Sequence, residues 1–335
     1  MTNLHSLHTD GCDLLGCRYP ILQAGMGGVA RSDLAAAVSI AGGFGCLGMV
    51  REPPGLITRE IAAVRARTDA PFGVNLIPSA TDPALLAEEL AACFEARVET
   101  LMFFWDVFPS AVATAKAAGC KVVYQVGSVT AARAAVAAGA DAVIAQGVEA
   151  GGHVRGRVTS LVLLPQIVAA VDVPVFASGG FATGGGLVAA LALGAAGLHC
   201  GTAFLATPES FAHDLHKQAV VAAGPEDTVL TDAYGINWPP DSPVRVLRSA
   251  VTDQLGHNLF GHLPDQIHRV QIGEEEGRPI YLMSTDSPLR SMTGELDRMA
   301  LFAGQSCGLI NRITPAGDVV ATMMREAEGI LTRWR

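Results

Sequence analysis

Charge is scarce in this chain and aromatic residues scarcer: 16% of its 335 residues are Asp, Glu, Lys or Arg, and 6% are Phe, Trp or Tyr. No basic cluster offsets the formal net charge of −9, which argues against nucleic acid as a partner. Cysteine pairs at metal or redox spacing are missing. The seven cysteines, Cys12, Cys17, Cys46, Cys93, Cys120, Cys200 and Cys307, include no CxxC and read as reduced core residues of a cytoplasmic protein. Apolar runs such as Leu187–Leu198 are too short to span a bilayer, so no membrane is expected. The stretch Met1–Asp10 lacks the apolar core of a secretion signal. P-loop and GxSxG motifs are absent. His213 and His216 stand three apart without a carboxylate pattern; they read as surface residues, and no metal is expected.

What the chain has in quantity is small and apolar residues. Half of it is hydrophobic and 37 residues are glycine, enough for a substantial core. From Tyr19 to Thr202 a short apolar run, a polar or Gly-rich turn and an Ala-rich stretch recur in order. The apolar runs predict strands at Pro20–Ala24, Phe44–Leu47, Phe72–Leu76, Thr100–Phe104, Val122–Val126, Ala142–Ala145, Val175–Ser178 and Gly197–Cys200. Their near-continuous hydrophobicity is that of parallel strands covered on both faces. Helices are expected between them, several closed by a glycine at the left-handed position: Gly42, Gly119, Gly139 and Gly194.

Eight strands alternating with helices predict an α/β fold, a (β/α)8 TIM barrel, whose ligand site lies at the C-terminal strand ends. The barrel is assigned to residues 1–205. Residues 206–300, richer in Asp, Pro, His and Arg, read as an inserted lid or substrate domain, mostly helical with irregular turns. Residues 301–335 read as a return to the barrel with a terminal helix from about Asp318.

Unusual residues collect at those strand ends. Ser178-Gly179-Gly180 and Cys200-Gly201-Thr202 follow the last two strands, where barrels commonly hold a phosphate on backbone N–H groups and a helix N-terminus. That helix is expected to start near Gly184 with Thr183 as its N-cap. Asn75, Gln125 and Gln146 interrupt apolar strands; a buried amide needs partners, and a heteroaromatic ring could supply them. Gln146-Gly147-Val148-Glu149-Ala150-Gly151-Gly152-His153 joins two glycines, which admit close backbone approach, to a histidine suited to proton chemistry. Gly25-x-Gly27-x-x-Ala30, with Glu52 downstream, formally matches a dinucleotide fingerprint, but a Rossmann domain leaves the paired loops at Gly180 and Gly201 unexplained. Trp105-Asp106 reads either as a pocket wall or as packing.

These residues, with Gln23-Ala24-Gly25-Met26, Asp141–His153 and Ala303-Gly304-Gln305, together resemble the nitronate monooxygenases, formerly called 2-nitropropane dioxygenases. The resemblance covers nearly the whole chain and is most specific around Glu149–His153. It implies an FMN-dependent barrel with a smaller second domain. The activity it implies is oxidation of alkyl nitronates or nitroalkanes by O2 to carbonyl compounds and nitrite, in one-electron steps through the flavin. It implies that Gly179, Gly180, Gly201 and Thr202 hold the FMN phosphate and that Ser178 also binds the cofactor. By the same resemblance Ala24, Gly25, Met26, Asn75, Gln125, Gln146, Gly151, Gly152 and Gln305 line the rest of the cofactor, and His153 is catalytic. The chain departs from the family pattern at Gly25, where proline is frequent, and at Val154, which separates the histidine from Arg155-Gly156. The same motifs are similar to the flavin-dependent enoyl-acyl-carrier-protein reductases, which use FMN with NAD(P)H; there Glu149 and His153 would orient the substrate carbonyl. No motif fixes an oligomeric state, and a homo-oligomer is compatible with the sequence.

Overall fold

A computed structural model describes residues 7–334; residues 1–6 of the polar N-terminal stretch lie outside the described residues. Fourteen strands are numbered in chain order. β1 (Ile21–Gln23), β2 (Gly45–Gly48), β3 (Phe72–Leu76), β4 (Thr100–Phe103), β5 (Lys121–Val126), β6 (Ala142–Gln146), β8 (Val175–Ser178) and β9 (Gly197–Cys200) form one parallel sheet, ordered β1-β9-β8-β6-β5-β4-β3-β2. The edges meet through a parallel bridge between Leu22 and Phe44, which closes the barrel. All eight strands fall where the apolar runs predict them, because every one is buried throughout or nearly so. The expected closing glycines adopt positive φ: Gly42 (93°), Gly119 (82°), Gly139 (107°) and Gly194 (90°).

The barrel interior holds Leu22, Phe44, Cys46, Met102, Val123, Ala142, Ile144 and Phe176, and a short helix, Asp10–Leu15, adds Cys12 and Leu15 to that cluster. Around the barrel a larger cluster joins the outer strand faces to the helices. After β9 comes a one-turn helix, Thr202–Leu205, and then the insertion. The wall is completed by the helix Ala316–Arg333, which packs on helices Gly184–Ala192 and Ser32–Ile40. Gly184 lets it approach: a Cβ there would lie 2.2 Å from Met323 O.

The segment 206–300 corrects the expectation of a mostly helical insertion. It has helices Asp214–Ala222 and Ala250–Leu255, but its framework is β10 (Thr228–Thr231), β11 (Val244–Leu247), β12 (Gln271–Glu275), β13 (Arg278–Tyr281) and β14 (Met292–Gly294). Glu276 (φ 49°) and Gly277 (φ 83°) make the two-residue turn between β12 and β13, since a hairpin of this kind needs positive φ at both central residues. β11 pairs antiparallel with β10 and with β7 (Gly152–His153), so the Gly-Gly-His motif is a strand of the insertion's sheet. Among the described residues no helix is long and apolar enough to cross a membrane. All seven cysteines are free and buried.

Candidate active site

A cleft of about 1330 Å³ opens at the C-terminal ends of the strands. Ala24, Gly25, Met26, Asn75, Gln125, Gln146, Gly151, Gly152, His153, Ser178, Gly179, Gly180, Gly201 and Thr202 all line it. Gln305 does not: its side chain is exposed and its backbone N–H donates to Glu149 O at 3.0 Å, leaving Ser306 to face the cleft.

Glycine is required at particular points of the wall. A Cβ on Gly25 would sit 2.2 Å from Asn75 Cβ, and one on Gly151 would sit 2.3 Å from Gly304 N, where the returning chain crosses. Gly304 N–H donates to Thr202 Oγ1 at 3.0 Å, fixing the crossing. Gly179 and Gly180 have φ of 91° and 84°, and their N–H groups, like those of Gly201 and Thr202, have no protein acceptor among the described residues. Such a bare backbone cradle suits an anion. The neighbouring helix N-terminus does not share in it as the sequence suggests. Thr183 is the N-cap, accepting from Gly186 N, but Gly184 N–H is taken by Glu326 Oε2 at 2.8 Å.

The three strand-end amides differ in use. Asn75 Nδ2 donates to Met102 O at 3.1 Å, and Gln125 makes no side-chain hydrogen bond to a described residue. Gln146 is committed at both ends: Nε2 donates to His153 O (2.9 Å) and Oε1 accepts from Arg155 N (3.3 Å). Glu149 is committed too. Its carboxylate accepts from Ser160 N at 3.0 Å and Ser160 Oγ at 2.9 Å, capping the helix Ser160–Val168, and it does not line the cleft. Arg245 on β11, paired with Gly152, donates to Val148 O at 2.8 Å and braces the same loop.

His153 stands in an aromatic box. Its ring stacks on Trp238 (centroids 3.5 Å, planes 29° apart), meets Trp105 edge-on at 5.8 Å and approaches Phe302 at 6.0 Å. Nε2 is buried without a hydrogen-bond partner among the described residues. Burial, and then the charge of Arg51, hold the imidazole well below the ordinary histidine range. Trp105 packs against the His153 ring without itself lining the cleft, while Asp106 pairs with Arg155 at 2.8 Å, and that guanidinium lies over Trp105. Trp105 (φ 80°), Arg51 (φ 58°) and Asn237 (φ 74°) all have left-handed backbone. Such strain in bulky residues persists only where surroundings enforce it, and it collects at functional sites.

Sequence reading missed several of these groups. Trp238, Phe302 and Arg51 reach the box from segments distant in the chain. His199, lining the cleft, bonds Ser178 Oγ through Nδ1 at 3.2 Å. His216 is not a surface residue: it is fully buried and bonds Phe302 O at 2.9 Å through Nε2. No cluster of metal-ligating side chains occurs among the described residues.

The model of one protein family, nitronate monooxygenase, matches residues 9–108 and 87–326. A (3aS,4S,5R,7aS)-5-hydroxy-7a-methyl-1-oxo-octahydro-1H-indene-4-carboxyl-CoA dehydrogenase of Mycobacterium tuberculosis is 37% identical over 96% of both chains. A probable nitronate monooxygenase of Staphylococcus saprophyticus is 33% identical over 98% of this chain and 99% of its own. The solved structure of FabK from Thermotoga maritima superposes with a TM-score of 0.83 at 33% identity, covering 98% of this chain and 99% of that one. With the family model spanning nearly all of the barrel, insertion and return, the chain belongs to the nitronate monooxygenase family of oxidoreductases.

Proposed function

We propose that this protein is an FMN-dependent nitronate monooxygenase, oxidising alkyl nitronates or nitroalkanes with O2 to carbonyl compounds and nitrite. The observation that carries the reading is the condition of His153. Its Nε2 is buried, unpartnered and kept uncharged inside the cleft, the state required of a group that accepts a carbon-bound proton. FMN, when bound, supplies the transfer of electrons from substrate to oxygen. The open N–H groups of Gly179, Gly180, Gly201 and Thr202 fit its phosphate. Asn75 and Gln125 offer amides to its ring system, and Ala24, Gly25, Met26, Gly151 and Gly152 form a wall that close approach requires. His153 takes the α-proton of a neutral nitroalkane, and Trp105, Trp238 and Phe302 exclude water from it.

A second reading, an FMN-dependent NAD(P)H-linked reductase of a thioester, is favoured by the size of the cleft. At about 1330 Å³ it exceeds the ~300–1,000 Å³ usual for a small-molecule site, and it continues past His153 to Arg59, Glu60 and Arg278. The names of two similar proteins, a carboxyl-CoA dehydrogenase and FabK, also support it. Anaerobic absorbance of the purified flavoprotein decides between the two. Propionate 3-nitronate is expected to perturb the flavin bands and NADH to leave them unchanged. Bleaching by NADH with no response to the nitronate would replace the first reading by the second.

A further inference from the structure

Arg51, in the loop after β2, belongs to no motif, yet it joins the barrel to the insertion directly above the histidine box. Its guanidinium donates to the carbonyl of Asn237 and lies 5.3 Å from the ring centroid of Trp238, which in turn stacks on His153. Both residues of the bridging hydrogen bond, Arg51 and Asn237, have left-handed backbone, a rare state for a long side chain such as that of Arg51 outside enforced positions. From the barrel side the Arg51 turn is backed by Glu89, a fully buried carboxyl of the helix Pro83–Glu95 that faces the N–H groups of Arg51 and Glu52.

Burial first, and then the positive charge of Arg51, disfavour the protonated His153 ring. The next cation, Arg155, stands behind Trp105 and is paired with Asp106. Trp105, Trp238 and Phe302, which make the rest of the box, carry no charge. Arginine does not deprotonate in proteins, so its influence is constant across the working pH range.

We propose that Arg51 is a positioning residue: it clamps Trp238 against His153 across the junction of barrel and insertion and so holds the imidazole where it accepts a proton. The proposal rests on the reading of His153 given above, and the clamp and the repulsion act through one guanidinium. Removing that group frees Trp238 from its seat and lifts the repulsion that disfavours imidazolium. The ring then takes up a proton at a higher pH.

The test is a ring-nitrogen NMR titration of His153 in the purified full-length protein, with the signal assigned by its loss in His153→Asn. In the wild-type protein the ring is expected to stay uncharged down to the acid limit of the fold. In Arg51→Gln it is expected to titrate at least one pH unit higher, with Arg51→Lys, which keeps the charge, in between. Trp238→Ala removes the seat of the clamp from the other side and is expected to shift the titration in the same direction. An unmoved titration in either folded variant overturns the proposal. A shifted titration, combined with nitroalkane turnover that survives His153→Asn, leaves the clamp standing and removes the proton-accepting role of His153.

Discussion

The side-chain amide of Gln146 holds the backbone of His153 from two sides, donating to the His153 carbonyl and accepting from the Arg155 N–H. The last residue of β6 therefore sets where the histidine ring stands. Replacing Gln146 with Leu keeps the volume and removes both bonds, a loss of about 1–3 kcal/mol in local order. Turnover is expected to fall about tenfold with FMN content and far-UV circular dichroism unchanged. Wild-type turnover in Gln146→Leu would mean that strand pairing with β11 alone fixes the ring.

Gly25→Ala tests the cleft wall. The added Cβ overlaps Asn75, so Asn75 must move and lose its bond to Met102 O. The expected cost is about 1–3 kcal/mol, read as a lower melting temperature, together with a lower ratio of flavin to protein absorbance. A variant that melts and binds FMN like the wild type contradicts the tight wall.

Glu149 separates a structural carboxylate from one that handles substrate. Its bonds to Ser160 N and Oγ cap a helix, and loss of a cap costs about 0.5–2 kcal/mol. Glu149→Ala is expected to melt a few degrees lower while its KM stays at the wild-type value. A KM raised tenfold or more at unchanged stability assigns the carboxylate to substrate instead.

Acid stability follows from two buried histidines. Burial pushes both His199 and His216 down to about 4, against about 6.5 in an unfolded chain. Between those values the unfolded state binds more protons than the folded one. Stability is therefore full above pH 6.5 and lost as pH falls toward 4, by about 1.4 kcal/mol per pH unit for each ring. Urea unfolding at pH 7.5, 6 and 5 is expected to show the decline, and His199→Asn combined with His216→Asn to make it shallower, leaving the share of the buried His153 ring. An equally steep decline in that double variant assigns the effect to other groups.

The barrel was legible because its signals are local. A strand buried on both faces writes itself as an unbroken apolar run, and a helix that must end writes a glycine, as at Gly139 and Gly194. The cleft was legible for a related reason: strand ends in a barrel converge, so Asn75, Gln146, Ser178 and Gly201 are neighbours once the fold is known. Trp238, Arg51 and Phe302 were not legible, since nothing in their local sequence says which segment they meet. Gln305 was misplaced for the converse reason. Its segment does reach the mouth, but the backbone of Gly304 makes the contact and the Gln305 side chain turns outward. The strands of the insertion hid behind Pro and Asp, and His216 looked exposed because its burial depends on Phe302, which follows the insertion in sequence.

The wall helix Ala316–Arg333 stands beside the first and last barrel helices, yet the whole insertion separates it from the strand it follows. Closing that gap is a long-range event, and long-range closure is slow relative to local helix formation. Collapse of the insertion shortens the loop that this closure spans and so favours seating of the final stave of the barrel. A defect in the insertion is then felt as a leaking barrel, and refolding rates of insertion variants and barrel variants are expected to move together.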